Sequence, residues 1–217
     1  MPTLTPAVLT DFIKRMFLAA GSPDFDAGRV AESLVGSSLR GYDSHGVALA
    51  RWYLSQIRDG ELAPGAPLEV VQDTPALLLA DGHLGFGQVQ CGRLIDALVE
   101  KAQVSGFAGG SLRRCGHVGR LGEWVERAAV QGMAALVAVN DNGVIRTVAP
   151  PGGTQGRIST NPIAIAVPTG GAPLVLDIST SAVANGKLKI ARVENRPVPL
   201  GWVQDAAGEP TTNPHVM

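Results

Sequence analysis

Apolar residues recur every three to four positions through the first sixty residues, and this spacing predicts amphipathic helices. Thr5 followed by Pro6 is typical of a helix start, because a threonine hydroxyl can cap free amides and proline needs no amide partner there. The first helix is expected to end at Gly21, a second to cover residues 26–40, and a third to run from about 43 to 60. The chain therefore opens with a helical region.

Beyond residue 62 the pattern changes to short apolar runs that alternate with helical stretches. Helices are predicted over 89–104 and 121–130, and strands over 68–71, 76–80, 107–112, 133–139, 163–167 and 174–178. This alternation predicts an α/β fold, in which a helical N-terminal region (1–62) precedes a mixed-sheet domain (63–191). Residues 192–217 form a polar, proline-containing tail in which we expect no closing structural element.

Composition and charge argue against several classes of function. The net charge is −1 and no basic block is present, which argues against a nucleic-acid-binding face. The longest apolar run, Met133–Val139, is far shorter than the roughly 20 residues of a membrane helix, and the N-terminus lacks the features of a secretory leader. Cys91 and Cys115 match no metal or redox spacing. Two unpaired thiols are typical of a reducing compartment, so we expect a cytoplasmic protein.

The first candidate for chemistry is the sequence RGYDSHG over residues 40–46. His45 is expected in the first turn of a helix, where the positive helix terminus disfavours the imidazolium form and keeps the ring close to its switching range. The flanking glycines would let a substrate approach closely. The structural alternative is that Asp43 or Ser44 caps the helix and that His45 is a surface residue.

The second candidate is CGHVGRLG over residues 115–122, which is expected to open a helix after a strand. Free backbone amides and glycines at a helix start can bind phosphate, and His117 or Arg120 could add a charge-assisted contact. The alternative is an ordinary glycine-rich turn.

Two further polar stretches are STNP over 159–162 and LDISTSAVANGK over 176–187. Asp177 near a strand end, followed by three hydroxyl residues, is typical of the polar rim of a pocket. The alternative is turn chemistry, with Asx and hydroxyl caps around Thr160–Pro162 and Ser179–Ser181.

Three other interpretations are rejected. GFGQVQ over 85–90 resembles the start of a dinucleotide fingerprint, but Gln90 replaces its last glycine and no acidic residue ends a second strand about twenty residues later. A hydrolase that uses Ser44 is disfavoured, because the adjacent His45 is poorly placed to act as its base. Zinc is not expected, since no metal-ligand spacing relates the four histidines, which are residues 45, 83, 117 and 215.

Taken in order, the motifs resemble the type 2 malate/L-lactate dehydrogenase family, which is distinct from the Rossmann-type lactate and malate dehydrogenases. The stretches that carry this resemblance are 40–47, 74–76, 81–82, 85–89, 116–122, 149–153, 160–168, 176–187 and 210–214. The form GHVGRLG over 116–122 looks most like the hydroxycarboxylate dehydrogenase branch. The resemblance implies a non-Rossmann α/β fold, a homodimer, and NAD or NADP held between domains near the partner subunit.

The resemblance also implies roles for individual residues. His45 would give a proton to the keto oxygen of a 2-keto acid and take it back in the reverse direction, with Ser44 and Asp177 as a hydrogen-bonded relay. Thr160 would contact the substrate. The segments implied to contact the cofactor contain His117, Val118, Gly119 and Arg120, and then Asp177, Ile178, Ser179, Thr180 and Ser181.

The chain departs from the family pattern at the residue expected to bind the substrate carboxylate. Many relatives carry an arginine four residues after the histidine, where this chain has Leu49. Arg51 is the nearest candidate, although on a continuous helix these two positions would lie about 200° apart.

The family also continues past the stretch at 210–214 into a Gly/Lys/Gly-rich motif, which this sequence does not contain. The leading hypothesis is thus an NAD(P)-dependent 2-hydroxyacid dehydrogenase or its N-terminal portion. The alternatives are a cyclic imino acid reductase of the same family and an inactive binding or assembly module.

Overall fold

The computed structural model describes residues 3–140 and 146–216. Its α-helices are α1 (Pro6–Ala19), α2 (Asp24–Leu39), α3 (Ala50–Arg58), α4 (Gly87–Ser105), α5 (Gly122–Ala129) and α6 (Asn185–Val193). Its strands are β1 (Glu69–Asp73), β2 (Leu77–Asp81), β3 (Gly109–Arg113), β4 (Ala135–Ala138), β5 (Ile163–Val167), β6 (Leu174–Ile178), β7 (Val203–Gln204) and β8 (Pro210–Thr211). The predicted α/β class is confirmed, and the predicted bounds of β5 and β6 agree with the structure residue for residue.

The predicted helix over 43–60 is wrong in its first half. Two short 3-10 turns, Asp43–His45 and Val47–Leu49, precede α3. Gly46 separates them in an extended conformation, with φ −96° and ψ −153°. Gly46 is buried directly against Ser38, whose hydroxyl accepts a hydrogen bond from the amide of Val47 at 3.1 Å. This contact with α2 holds the chain out of a continuous helix.

Two three-stranded sheets follow the N-terminal helices. In the first, β1 and β2 are antiparallel, and β2 and β3 are parallel with α4 as their connection. In the second, β4, β5 and β6 are antiparallel neighbours in that order. The mixed first sheet agrees with the predicted mixed-sheet architecture and differs from the long parallel sheet of a Rossmann domain.

The N-terminal helices share a core with the start of α4. Phe17, Leu34 and Tyr53 are almost fully buried and pack in one cluster with Phe86 and with Val89 of α4. Burying side chains of this size contributes roughly 1.5–3 kcal/mol each. The helical region is therefore anchored on the start of α4, close to the segment 114–121 that precedes α5.

Helix α5 packs between α4 and the second sheet. Trp124 is fully buried in one cluster, with residues of α4, and Val125 in another, with Ala164 and Ala166 of β5. The opposite face of the second sheet is apolar and exposed, with exposed fractions of 36–69% for Leu136, Ile165, Val167, Leu174, Leu176 and Ile178. Among the described residues, no helix has both the length and the apolar character needed to cross a bilayer.

The expectation that residues 192–217 contain no closing element is wrong. Strands β7 and β8 pair antiparallel, and the segment packs on α6 through a cluster formed by Val183, Leu188, Ala191, Val198 and Val203. Of these five residues, Val198 and Val203 lie within the segment 192–217, and their spacing is neither helical nor alternating, so the sequence pattern does not reveal the cluster. These residues become buried by packing against α6. Helix α6 itself has no side-chain cap at its start.

Candidate active site

Three segments from different parts of the chain meet around His45. The first is the 3-10 turn that carries Ser44 and His45, the second is the loop before α5, and the third runs from Asp177 to the start of α6. The imidazole rings of His45 and His117 are stacked, with centroids 5.5 Å apart and planes inclined by 28°. Both rings are only partly buried, so this site has the mixed exposure that substrate access requires.

Ser44 and His45 are hydrogen-bonded to each other. Ser44 Oγ lies 3.0 Å from His45 Nδ1. The tight turn lets both side chains face the same side, although the two residues are adjacent in the chain. The Nδ1 atom is engaged by Ser44, which leaves Nε2 as the nitrogen available for proton exchange.

The pKa of His45 is lowered from its ordinary value, and the main cause is burial. The carboxylate of Asp177 opposes this effect and raises the pKa, whereas the guanidinium of Arg120 lowers it. The predicted cause, the positive end of a helix, does not apply, because His45 closes a 3-10 turn and α3 begins only at Ala50.

Asp177 of β6 also caps helix α5. Its Oδ2 accepts a hydrogen bond from the amide of Gly122 at 2.8 Å and lies 4.0 Å from Arg120 Nη1. A carboxylate at this position satisfies a free amide and complements the positive helix terminus. Within the described residues, Asp177 has no direct hydrogen bond to Ser44 or His45, so it acts on His45 through its electrostatic field.

Arg120 holds this arrangement from the other side. The residue is 5% exposed. Its guanidinium forms a bidentate pair with the carboxylate of Glu126, with N–O distances of 3.1 and 2.8 Å. It also lies over the ring of Tyr42, 5.7 Å from the centroid. Arg120 is thus committed to protein partners in this structure.

His117 lies at the end of a buried polar chain. The hydroxyl of Tyr53 is 2.7 Å from His117 Nδ1, and the side-chain amide of Gln88 donates to that hydroxyl at 2.8 Å. The pKa of His117 is lowered to about 4, first by burial and then by the nearby His45. Sequence reasoning missed Tyr53 and Gln88, because both lie at buried helix positions where only packing was expected.

The glycine-rich starts of α4 and α5 are occupied by the protein itself. A Cβ atom on Gly87 would overlap the carbonyl groups of Gly116 and His117, and the amide of Gly116 donates to Gly85 O at 2.8 Å. The glycines that resemble a dinucleotide fingerprint therefore serve close backbone packing. At α5, Asp177 takes the amide of Gly122 that the sequence suggested for phosphate.

The start of α6 is pressed against the turn that carries His45. A Cβ atom on Gly186 would overlap the Cβ of Ser44. Glycine is required here because the two backbones approach so closely, and this contact places α6 and Asp177 on the same side of the site.

The family model for malate/L-lactate dehydrogenase matches residues 4–217. The chain belongs to this malate/L-lactate dehydrogenase family. The resemblance inferred from the motifs is thereby confirmed.

Two relatives illustrate the similarity in sequence. The chain is 37% identical over 210 residues to hydroxycarboxylate dehydrogenase B of Escherichia coli (strain K12), covering 96% of the chain and 58% of the relative. It is 36% identical over 203 residues to malate dehydrogenase of Pyrococcus abyssi, covering 94% of the chain and 55% of the relative.

Solved structures of the family agree closely with the fold. Delta1-piperideine-2-carboxylate reductase from Pseudomonas syringae gives a TM-score of 0.91 at 33% identity, covering 100% of the chain and 64% of that structure. Sulfolactate dehydrogenase from Methanocaldococcus jannaschii gives 0.88 at 30% identity, covering 98% and 61%. The chain therefore spans less than two thirds of the length of these family members.

The substrate-side residues expected from the malate/L-lactate dehydrogenase family lie in different settings. Thr160 is half-buried, whereas Arg51 is exposed and makes no described contact with His45 or His117. Leu49 packs against the N-terminal core. Because a 3-10 turn ends at residue 49 and α3 begins at residue 50, the angle calculated for one continuous helix does not apply.

The hydroxyl run after Asp177 ties two loops together. The carbonyl of Thr160 accepts hydrogen bonds from Ser179 Oγ at 3.2 Å and from Thr180 Oγ1 at 3.0 Å. Ser181 Oγ lies 2.7 Å from Ser179 Oγ. These contacts agree with the turn chemistry considered as the alternative, while Ile178 is 47% exposed on the outer face of the second sheet.

The loop before α5 is hydrogen-bonded to the helix on its inner side. The carbonyl of Val118 accepts a hydrogen bond from Trp124 Nε1 at 2.9 Å, and Gly119 is buried with φ +77°. A positive φ of this size favours glycine. Over residues 3–140 and 146–216, no cluster of three or more His, Cys, Asp or Glu side chains is arranged to hold a metal ion.

Proposed function

We propose that this chain carries the proton-transfer site of an NAD(P)-dependent oxidoreductase that interconverts small 2-keto and 2-hydroxy carboxylic acids. The observation that carries the proposal is the Ser44–His45 hydrogen bond of 3.0 Å, within the electrostatic reach of Asp177. Membership of the malate/L-lactate dehydrogenase family supports the choice of reaction.

His45 is the proposed acid in reduction and the proposed base in oxidation. Its Nδ1–H donates to Ser44 Oγ, and Nε2 exchanges the proton with the substrate oxygen. Ser44 is proposed to keep the ring in this orientation through its hydrogen bond, and Asp177, which has no hydrogen bond to either residue within the described structure, acts on the ring through its charge. Asp177 stabilises the imidazolium form, which offsets part of the cost of its burial.

The residues around His45 fit one end of a nicotinamide cofactor. NAD or NADP would supply or accept the hydride at the substrate C2 atom. The half-buried rings of His45 and His117, with Trp52 edge-on to His117 at 5.8 Å, supply aromatic surface against which a planar ring can pack.

The proposed cofactor contacts follow the loop before α5 and the end of β6. They are His117, Val118 and Gly119, and then Ile178, Ser179, Thr180 and Ser181. The pairing of Arg120 with Glu126 supports a positioning role for Arg120, although the resemblance groups it with the cofactor segment. Thr160 and Arg51 stay the proposed substrate contacts.

The pH dependence tests the role of His45. Reduction needs the imidazolium, so its kcat/KM is expected to fall as the pH rises through the lowered pKa of His45. Oxidation needs the neutral ring, so its kcat/KM is expected to rise over the same interval. The measurement is the loss or gain of NADH absorbance with pyruvate or lactate across pH, and profiles that do not mirror each other would exclude His45 as the shared acid and base.

Cofactor binding is tested on the 217-residue chain itself. Because the chain spans 55–64% of the family members compared above, NADH titration by fluorescence asks whether this chain binds cofactor alone. Enhancement that saturates below about millimolar NADH supports the proposal. No enhancement at millimolar NADH would favour a binding or assembly module without cofactor.

A cyclic imino acid reductase is the alternative within the family. A delta(1)-pyrroline-2-carboxylate/delta(1)-piperideine-2-carboxylate reductase of Pseudomonas aeruginosa is 37% identical over 185 residues, as similar as the dehydrogenases. Reduction of a C=N bond would use the same acid, His45. Turnover of pyruvate and of delta(1)-piperideine-2-carboxylate, compared at equal concentration with NADH and with NADPH, decides between the two.

The homodimer and the cytoplasmic location are also proposals. The exposed apolar face of the second sheet supports self-association, since large apolar patches often mark interfaces. The free thiols of Cys91 and Cys115 support a reducing compartment. Light scattering coupled to gel filtration tests the dimer, and a single monomeric species at micromolar concentration would contradict it.

A further inference from the structure

Gln88, Tyr53 and His117 are linked by hydrogen bonds. This hydrogen-bond chain is buried at its Gln88 end and reaches the candidate site at its His117 end. Gln88 is fully buried and Tyr53 is 1% exposed, whereas the ring of His117 is only partly buried. Within the described part of the chain, His117 Nδ1 is hydrogen-bonded and Nε2 has no hydrogen-bond partner.

The backbone amide of Gly119 decides the direction of both hydrogen bonds that link Gln88, Tyr53 and His117. The amide of Gly119 donates to His117 Nδ1 at 3.3 Å, and a backbone N–H can only donate. Nδ1 must therefore be unprotonated, so the Tyr53 hydroxyl donates to it. That hydroxyl then accepts from the side-chain amide of Gln88, as the 2.8 Å contact requires.

The opposite direction of these hydrogen bonds is less favourable. It would place a proton on His117 Nδ1, so the amide of Gly119 would face another N–H group. The Gln88 side chain does not decide the direction, because among the described residues its Oε1 is buried without a partner in the present orientation and its Nε2 would be in the reversed one.

We propose that Gln88, Tyr53 and the amide of Gly119 hold His117 as the neutral Nε2–H tautomer, which makes Nε2 a hydrogen-bond donor aimed at an acceptor oxygen of the bound substrate or cofactor. Tyr53 and Gln88 are positioning residues in this device. The donor role rests on the proposed function, whereas the tautomer is a property of the ligand-free chain.

A neutral His117 also decides which ring of the stacked pair takes up a proton. Two imidazolium rings with centroids 5.5 Å apart would repel each other, and His45 already lowers the pKa of His117. Holding His117 neutral leaves His45, beside the carboxylate of Asp177, as the ring that becomes charged.

The first experiment measures the tautomer directly. Long-range 1H–15N correlation spectra of the ligand-free 217-residue chain at pH 7.5, assigned with His117→Gln, report which ring nitrogen carries the proton. We expect a protonated Nε2 and an unprotonated, hydrogen-bonded Nδ1. A protonated Nδ1 would overturn the proposal, whatever the enzyme activity.

The second experiment removes one hydroxyl. Tyr53→Phe is expected to move the Nδ1 resonance toward that of a free ring nitrogen and to increase the Nδ1–H population severalfold. Tyr42→Phe removes the other tyrosine hydroxyl of the chain and is the matched control, expected to leave the His117 resonances unchanged. Unchanged resonances in Tyr53→Phe would overturn the positioning role.

A third variant tests the proposal independently of whether Tyr53→Phe folds. Gln88→Met keeps the Tyr53 hydroxyl but removes its donor, so we expect a smaller change of the same sign at Nδ1. In an active preparation, Tyr53→Phe is also expected to lower kcat/KM for the keto acid roughly tenfold, the effect of about 1.4 kcal/mol from one lost hydrogen bond.

The two proposals fail separately. A protonated Nε2 in a chain that binds no NADH would contradict the proposed function and leave the positioning device intact. A protonated Nδ1 in a chain that binds NADH and turns over pyruvate would do the reverse.

Discussion

Strands β2 and β6 each carry an aspartate at or next to their carboxyl end, and the surroundings of these two carboxylates differ. Asp81 ends β2 and accepts hydrogen bonds from the amide of His83 and from the guanidinium groups of Arg113 and Arg114, each at 3.0 Å. Asp177 in β6 accepts one hydrogen bond from a described residue, the amide of Gly122.

The pKa of Asp81 is lowered to about 2, first by the hydrogen bond from His83 and then by Arg114. Asp177 instead interacts electrostatically with two groups, the imidazole of His45 and the guanidinium of Arg120, which lies 4.0 Å away. A carboxylate saturated by donors stabilises the fold, whereas one with a single backbone donor retains the capacity to interact with a group that changes its charge. The difference teaches that the donors around an aspartate, and not its place at a strand end, decide its role.

Replacing the imidazole of each region should give the largest contrast. We expect His45→Asn to lower turnover about 100- to 10,000-fold, because the proton donor is lost. The control is His83→Asn, which removes the imidazole beside Asp81 and should leave turnover within about twofold of the unchanged protein. Equal effects of the two variants on keto acid reduction would remove the distinction between the regions.

Neutralising the two aspartates should separate activity from stability. Asp177→Asn is expected to lower turnover roughly 10- to 100-fold, because the imidazolium of His45 loses its carboxylate, while an asparagine oxygen can still cap Gly122. Asp81→Asn should lower the thermal midpoint by several degrees and leave the turnover of the folded fraction unchanged. Steady-state kinetics and calorimetry on both variants check this, and a stability loss confined to Asp177→Asn would contradict it.

A methyl group at Gly186 should disturb the site through Ser44. Gly186→Ala places Cβ where Ser44 Cβ lies, so we expect about 1–3 kcal/mol of destabilisation and a roughly tenfold loss of turnover as the turn shifts. Gly171→Ala is the matched control, because its Cβ would meet no atom within 4 Å. Denaturant unfolding and kinetics of both variants provide the measurement, and a neutral Gly186→Ala would show that α6 is not pressed against Ser44.

Acid should destabilise the two regions in different pH ranges. The pKa of His117 is lowered to about 4, so between about pH 6.5 and 4 the unfolded chain binds a proton that the folded ring does not, and stability falls by roughly 3 kcal/mol as the pH falls.

The pKa of Asp81 is lowered as well, but its effect on stability falls in a lower pH range. This stabilising effect is complete above the ordinary pKa of 3.8 and is lost as the pH falls toward 2. His117→Gln should flatten the pH dependence of the unfolding free energy above pH 4, and Asp81→Asn should not. The prediction fails if Asp81→Asn alone flattens that interval.

Sequence patterns located most of the regular elements. The bounds of β5 and β6 were predicted to the residue, because an apolar run between turn residues is a local property. The break at Gly46 was missed, since it depends on contact with Ser38 of α2. The pairing of β7 with β8 was missed because its apolar residues gain burial only from α6.

The candidate site was predicted in the same uneven way. The motifs selected His45, Ser44 and Asp177, and the structure brings their segments together. The motifs did not select Tyr53 and Gln88, which are ordinary residue types at buried helix positions. Their part in the site depends on a hydrogen bond between residues 64 positions apart, which no local pattern encodes.

By itself, the sequence determined the α/β class, the helical N-terminal region and the polar motifs, because periodicity and turn chemistry act over a few residues. Only the tertiary structure decided what the polar residues do. The amide of Gly122 meets Asp177 across 55 positions, and the backbone at Gly116 and His117 fills the space beside Gly87 that a nucleotide fingerprint would leave open. Hydrogen bonds and close backbone contacts between distant segments form only when packing brings those segments together, so they can be identified only from the folded chain.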